Sequence, residues 1–206
     1  MKNAFLIFFF FPISLYATSV KLCHYQTWDW STKENRSVNH RQVIKPYSEL
    51  NREEKGSISG CTLCEEDQVE IKISEVPPFK ICKIYENQIE EIILKAKEDH
   101  FPFYSIIAYR VGKSLGPIDF EGKRTKYSQH SYGLAIDFNS KLNGMYNSCV
   151  SFNSKCKLIH GGNYEPDRPG AITSESKMGK ALQQLGFNWG GHLVGRQKDF
   201  MHFSRE

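Results

Sequence analysis

The first apolar stretch runs from Ala4 to Ile13, directly after Lys2, and gives way to the small residues Ala17, Thr18 and Ser19. A basic start, a short apolar run and a small-residue end predict a secretory signal peptide, cleaved after Ala17 or Ser19. The run contains Pro12 and falls short of the roughly 20 residues that a permanent membrane span needs. From 20 to 60 the aromatic residues are scattered without a sustained period, so this segment reads as a polar lead-in. Regular patterning begins at Gln68, where Val69, Ile71 and Ile73 alternate with Gln68, Glu70, Lys72 and Ser74. That alternation predicts a half-buried strand, stopped by Pro77 and Pro78.

Between Ile84 and Asp99 the apolar positions Ile84, Ile89, Ile92, Ile93 and Ala96 fall at near-helical spacing, which predicts an amphipathic helix. "YSIIAYRV" (104–111) and "SYGLAIDFN" (131–139) read as strands. "SESKMGKALQQLG" (174–186) reads as a second helix, ended by Gly186. "FNWGG" (187–191) is a tight aromatic–glycine segment, and "DFMHFS" (199–204) a short final strand. Short strands, irregular loops and two helices predict an α+β domain: a small antiparallel sheet with flanking helices. The expected organisation is a signal peptide over 1–19, a disulfide-stapled lead-in over 20–60 and one domain over 61–206.

Export changes the reading of the cysteines. All six (Cys23, Cys61, Cys64, Cys82, Cys149, Cys156) follow the signal, and an even number in an oxidising compartment predicts disulfides. Cys149 and Cys156 flank a short loop and are expected to pair. The other four pair among themselves, with the three possible connectivities left open. "CTLC" (61–64) offers a rival reading as a thiol–disulfide site, although no strand–helix–strand context surrounds it. A net charge of +4 on 206 residues is too small to argue for nucleic acid, and is compatible with an anionic envelope polymer.

The candidate chemistry sits in "SQHSYGLAIDFNS". In the strand Leu134, Ile136 and Phe138 share one face, and Ala135, Asp137 and Asn139 the other, so Asp137 can point into a cleft. Gly133 allows a tight bend that would bring His130 to the same point. Near the C-terminus "KDFMHFSRE" sets Asp199 and His202 among Phe200, Met201 and Phe203. His130, Asp137 and His202 form a two-histidine, one-carboxylate set, a recurring catalytic zinc environment with one position left open. Asp199 remains as a carboxylate able to take a proton from water and deliver it to a leaving amine. Positions 199 and 202 of a regular strand would face opposite ways, so a turn at Asp199 with His202 opening the strand is expected.

Three ordered blocks, Ser128-x-His130-x-x-Gly133-x-Ala135-x-Asp137, then Trp189-Gly190-Gly191, then Asp199-x-x-His202-Phe203, resemble the M15 zinc peptidases over roughly 85–204. That family includes D-alanyl-D-alanine carboxypeptidases, D-Ala-D-Ala dipeptidases and endolysins. The resemblance implies a Hedgehog/DD-peptidase-like fold and Zn2+ held by His130, Asp137 and His202, with Asp199 as general base. It places Arg110, in "AYRVGK", at the substrate carbonyl, with Arg124 as a second candidate. Ser128, Trp189 and Arg124 are expected at the substrate. Two departures stand out: His192 where many relatives carry an aromatic after Trp-Gly-Gly, and Ser204 where many carry Glu after His-Phe. His160 is a further candidate for touching substrate.

The implied protein is a secreted or periplasmic monomer acting on peptidoglycan peptides as a D,D-carboxypeptidase or endopeptidase. It has no nucleic-acid partner and no membrane anchor after signal cleavage. The rival within the same fold is a zinc-containing module that binds without catalysis.

Overall fold

The computed structural model describes residues 20–206, so the signal-peptide reading of 1–19 lies outside the described residues. Residues read as an unpatterned lead-in form a long antiparallel hairpin of β1 (Leu22–Ser31) and β2 (Arg36–Pro46). The hairpin escapes a hydropathy pattern for a physical reason. In β1 the buried positions are Cys23, Tyr25, Thr27 and Ser31, none of them aliphatic, and β2 is an edge strand with no fully buried residue. Asn51 caps the short helix α1 (Arg52–Lys55), its side chain accepting from the Glu54 N–H while Glu54 accepts from the Asn51 N–H.

Glu54 is buried and holds hairpin and helix together. Its carboxylate accepts from the Tyr25 hydroxyl at 2.6 Å and the Lys45 ammonium at 2.7 Å. Burial alone would raise its pKa, but hydrogen bonds from Lys45, Tyr25 and the Asn51 backbone outweigh it, and the pKa lies below its ordinary 4.5. A folded-state pKa below the unfolded one contributes stability that is present above the unfolded value and lost as pH falls through the folded one. Glu54→Gln should therefore destabilise the protein at pH 7 by about 1–3 kcal/mol. In urea titrations at stepped pH, the gap to wild type should close below pH 4.5.

The next strands are β3 (Gln68–Ile71), β4 (Phe79–Cys82), the two-residue β5 (Ile106–Ile107), β6 (Lys113–Ile118) and β7 (Arg124–Tyr127). The predicted strand at Gln68 thus ends at Ile71, two residues short of Ile73. β8 (Ala135–Phe138), β9 (Met145–Asn147) and β10 (Lys157–His160) precede β11 (Asn188–Trp189), β12 (Gln197–Asp199) and β13 (His202–Ser204). The single small sheet expected is divided, among the described residues, into several: β2-β1-β6-β7, β10-β9-β12, β11-β13-β8-β5 and β3-β4. Every pairing is antiparallel except a one-residue parallel contact of Asp29 with Lys113.

Both predicted helices are present. α2 (Glu86–Glu98) buries Ile89, Ile93 and Ala96. It starts after Ile84, which lies exposed in a tight turn. α3 (Lys177–Gln184) buries Met178 and Leu182, and Gly186, at φ 90°, ends its last turn as predicted. Their apolar faces meet the interior around Ile136, Phe138, Phe187 and Phe203. Disulfides Cys23–Cys64 and Cys61–Cys82 tie the hairpin and the β3–β4 layer to the core, and Cys149–Cys156 closes a short outer loop.

Candidate metal centre

All four residues of β8 are buried, so the apolar face packs in the core while Asp137, on the opposite face, is only 8% exposed. Ahead of it, His130 lies in a tight turn over Gln129–Tyr132, closed by Gly133 in the left-handed conformation at φ 66°. A Cβ at Gly133 would collide with the backbone nitrogen of Cys82, so glycine is required both for the bend and for the space. Strand register supplies the second histidine: β13 pairs with β8 so that His202 lies directly opposite Asp137. A bend and a cross-strand pair thus bring together residues 65 apart in sequence.

The Nδ1–H of His130 donates to the Ala108 carbonyl at 2.7 Å, which fixes the tautomer and leaves Nε2 facing Asp137 Oδ2 at 3.2 Å. His202 Nδ1 is 2.8 Å from Asp137 Oδ1. The donor atoms of the three residues all lie within 4.8 Å of one another. Burial lowers the pKa of His130, outweighing the opposing charge of and hydrogen bond to Asp137. Burial would raise Asp137, but the two imidazoles outweigh it and hold the carboxylate ionised. For His202 burial acts downward, and the hydrogen bond and charge of Asp137 reverse it, raising the pKa. With its proton gone, Nε2 and the Asp137 carboxylate oxygen 3.2 Å away would be two acceptors in contact, and a cation between them would satisfy both. Two imidazoles and one carboxylate fit a metal ion of the zinc type.

Asp199 closes strand β12 instead of lying in the expected turn, which falls at Phe200 and Met201 and interrupts the strand expected over 199–204, while His202 opens β13 as expected. Asp199 Oδ1 is buried without a hydrogen-bond partner. Burial, helped by the Asp137 charge and opposed by His202 and Arg110, pushes its pKa up to about 6. The Trp189-Gly190-Gly191 block holds this turn. The indole N–H of Trp189 donates to the Phe200 carbonyl at 2.9 Å. A Cβ at Gly190 would strike the Asp199 carbonyl oxygen and come within 2.9 Å of the Asp199 Cβ. Gly190→Ala should therefore cost about 1–3 kcal/mol in urea unfolding, through displacement of the β12–β13 turn.

Arg110 approaches from another segment, its Nη2 3.9 Å from Asp137 Oδ2. The strand expected over 104–111 is confined to Ile106–Ile107. Beyond it the chain follows the His130 turn instead of a ladder: Arg110 N–H donates to the His130 carbonyl at 3.1 Å, and Gly112 N–H to Ser131 Oγ at 3.1 Å.

Residues 121–205 match the family model described as D-alanyl-D-alanine carboxypeptidase. This stretch belongs to the M15 peptidases. The M15 stretch contains His130, Asp137, Asp199 and His202, and leaves Arg110 and the β1–β2 hairpin outside it. No curated protein and no solved structure matched the chain.

Within the M15 stretch, Ser128 is buried beside the His130 turn with its Oγ unpartnered. Arg124 lies on β7 and donates to the Gly116 carbonyl at 2.7 Å. Trp189 is buried, with its N–H committed to the turn. His160 and His192 are exposed, His192 edge-on to Trp189. The carbonyl of Ala108, which orients His130, is a backbone group and carried no sequence signal. The thiol–disulfide reading loses its pair: Cys61 bonds Cys82, Cys64 bonds Cys23, and no cysteine among the described residues is free. Cys23, Cys64 and Glu66 also cluster, but the shared disulfide leaves no thiolate to bind a metal.

Proposed function

We propose that this protein is an exported zinc peptidase, with a Hedgehog/DD-peptidase-like fold, that hydrolyses peptide bonds in peptidoglycan stem peptides. The observation that carries the reading is the convergence of the ligand atoms of His130, Asp137 and His202, with Asp199, whose Oδ1 is buried and unpartnered, just before the turn that leads to His202. The M15 match over 121–205 supports the substrate class. Three disulfides are in keeping with an oxidising compartment, and no described helix is long and apolar enough to cross a membrane.

Zinc held by the three residues would supply Lewis acidity, acidifying water and polarising a carbonyl. The protein's own groups do the rest. Asp199 accepts a proton from the attacking water at its unpartnered Oδ1 and passes it to the leaving amine. Ala108 keeps His130 in the metal-binding tautomer. Arg110 donates to the oxygen on which negative charge develops. Ser128, through its unpartnered Oγ, and Arg124 are the further substrate contacts of this reading. Trp189 acts through the turn it holds rather than by direct contact.

Mass spectrometry of purified peptidoglycan fragments incubated with the mature protein tests the reading. New peptides should form with zinc-loaded protein and not after chelation. Loss of one alanine would identify a carboxypeptidase, and internal cleavage an endopeptidase. Unchanged fragments with zinc-loaded protein would refute the peptidase.

A further inference from the structure

A cleft of about 590 Å³ lies between the β1–β2 hairpin and the segment that carries Arg110. Gln26, Trp28, Arg41 and Gln42 line it from the hairpin, Lys80 from β4, and Tyr109 and Arg110 from the opposite side. All the residues that line this cleft lie outside the matched M15 stretch.

Three features point to an occupant. The first is continuity: the Arg110 side chain lines the cleft and also reaches Asp137 at the metal centre. A substrate held at the metal with its carbonyl near Arg110 can extend directly into the cleft. The second is charge. Lys80 is exposed and its ammonium makes no ion pair or hydrogen bond among the described residues, while Arg41 is paired with Asp29 at 3.2 Å. Glu65 is the one carboxylate lining the cleft, against Arg41, Lys80 and Arg110. The third is rigidity. The Trp28 ring packs over Gly112, where a Cβ would collide with it. The Tyr109 hydroxyl donates to the Leu63 carbonyl at 2.6 Å, and Cys23–Cys64 pins the base of the hairpin. Walls fixed in this way lose little entropy on binding.

We infer that this cleft is an extended substrate site that takes a carboxylate-bearing part of the peptide, away from the bond that is cut, with Lys80 and Arg41 as its anion contacts. The inference rests on the peptidase reading for the direction of the chain, but not for the binding itself.

Fluorescence anisotropy tests it, with a labelled peptide containing D-Glu and its D-Gln twin, on zinc-loaded protein. Wild type should bind the D-Glu peptide about three- to tenfold more tightly, an advantage that shrinks as salt is raised. In Arg41→Gln/Lys80→Gln, two exposed substitutions, the ratio should fall to about one. Equal binding of the two peptides by wild type, or a ratio unchanged in the double variant, overturns the inference. Preferential binding without hydrolysis would support the cleft while removing the peptidase reading, so the two fail separately. The salt dependence is read on wild type alone and holds even if the variant folds poorly.

Discussion

Asp199→Ala is expected to lower hydrolysis of peptidoglycan peptides by about 10²–10⁴-fold while bound zinc stays unchanged. The argument rests on what surrounds the carboxylate. Its Oδ1 is buried with no partner, a costly arrangement for a group with only a structural task. Burial has pushed its pKa up to about 6, which suits a group that must take and release a proton near neutrality. It is held in place by a turn that Trp189 and Gly190 support, so its position does not depend on its own hydrogen bonds. Asp199→Asn separates chemistry from packing, because it keeps the shape and removes the base. Both variants should lose turnover with little change in KM, since the proton transfer belongs to the transition state. A variant that retains even a tenth of wild-type turnover would show that another group takes the proton.

The legible part of this centre was its local part. His130, Gly133 and Asp137 lie within one short stretch, where strand alternation and a glycine bend determine what can meet. That a turn must separate Asp199 from His202 could be reasoned from strand geometry, but it falls at Phe200 and Met201, and Asp199 itself pairs in β12. What stayed hidden depends on long-range pairing. The β1–β2 hairpin carries few aliphatic positions, because one strand is stapled by a cysteine and the other is a solvent-facing edge. The connectivity of Cys23, Cys61, Cys64 and Cys82 follows from how that hairpin packs on β4, which no spacing rule contains. The segment after Ile107 looked like a strand by composition, yet its hydrogen bonds are divided between Lys80 of β4 and the His130 turn, partners that only the folded chain supplies. Trp189 reads as a groove aromatic in sequence, while its burial and its bond to Phe200 make it a support.

Zinc should raise the thermal stability of the wild-type protein, and Asp137→Asn should abolish that rise. At a free zinc concentration about 100 times the dissociation constant, binding to the folded state alone adds about 2.7 kcal/mol. For a chain of this size that is a Tm increase on the order of 5–10 °C. Asp137 is the better test than either histidine because both imidazoles converge on its carboxylate, at 3.2 Å for His130 and 2.8 Å for His202. It is flanked by Ile107 of β5 on one side and His202 of β13 on the other, so asparagine can keep the volume and the strand pairing. Asparagine cannot keep the negative charge that a cation between two neutral nitrogens requires. Zinc affinity should fall by more than the about 10–100-fold typical of losing an outer hydrogen-bond partner, because a direct ligand is lost. The metal-free variant should also be destabilised by about 1–3 kcal/mol, since His202 loses the Asp137 carboxylate that contributes most to raising its pKa and keeps only the charge of Asp199. The two effects are read separately, one as the zinc-induced shift in Tm and the other as the urea midpoint in chelator. A variant that keeps the full zinc shift would place the metal elsewhere, and one that loses it while folding normally would fix Asp137 as the ligand that joins the two histidines.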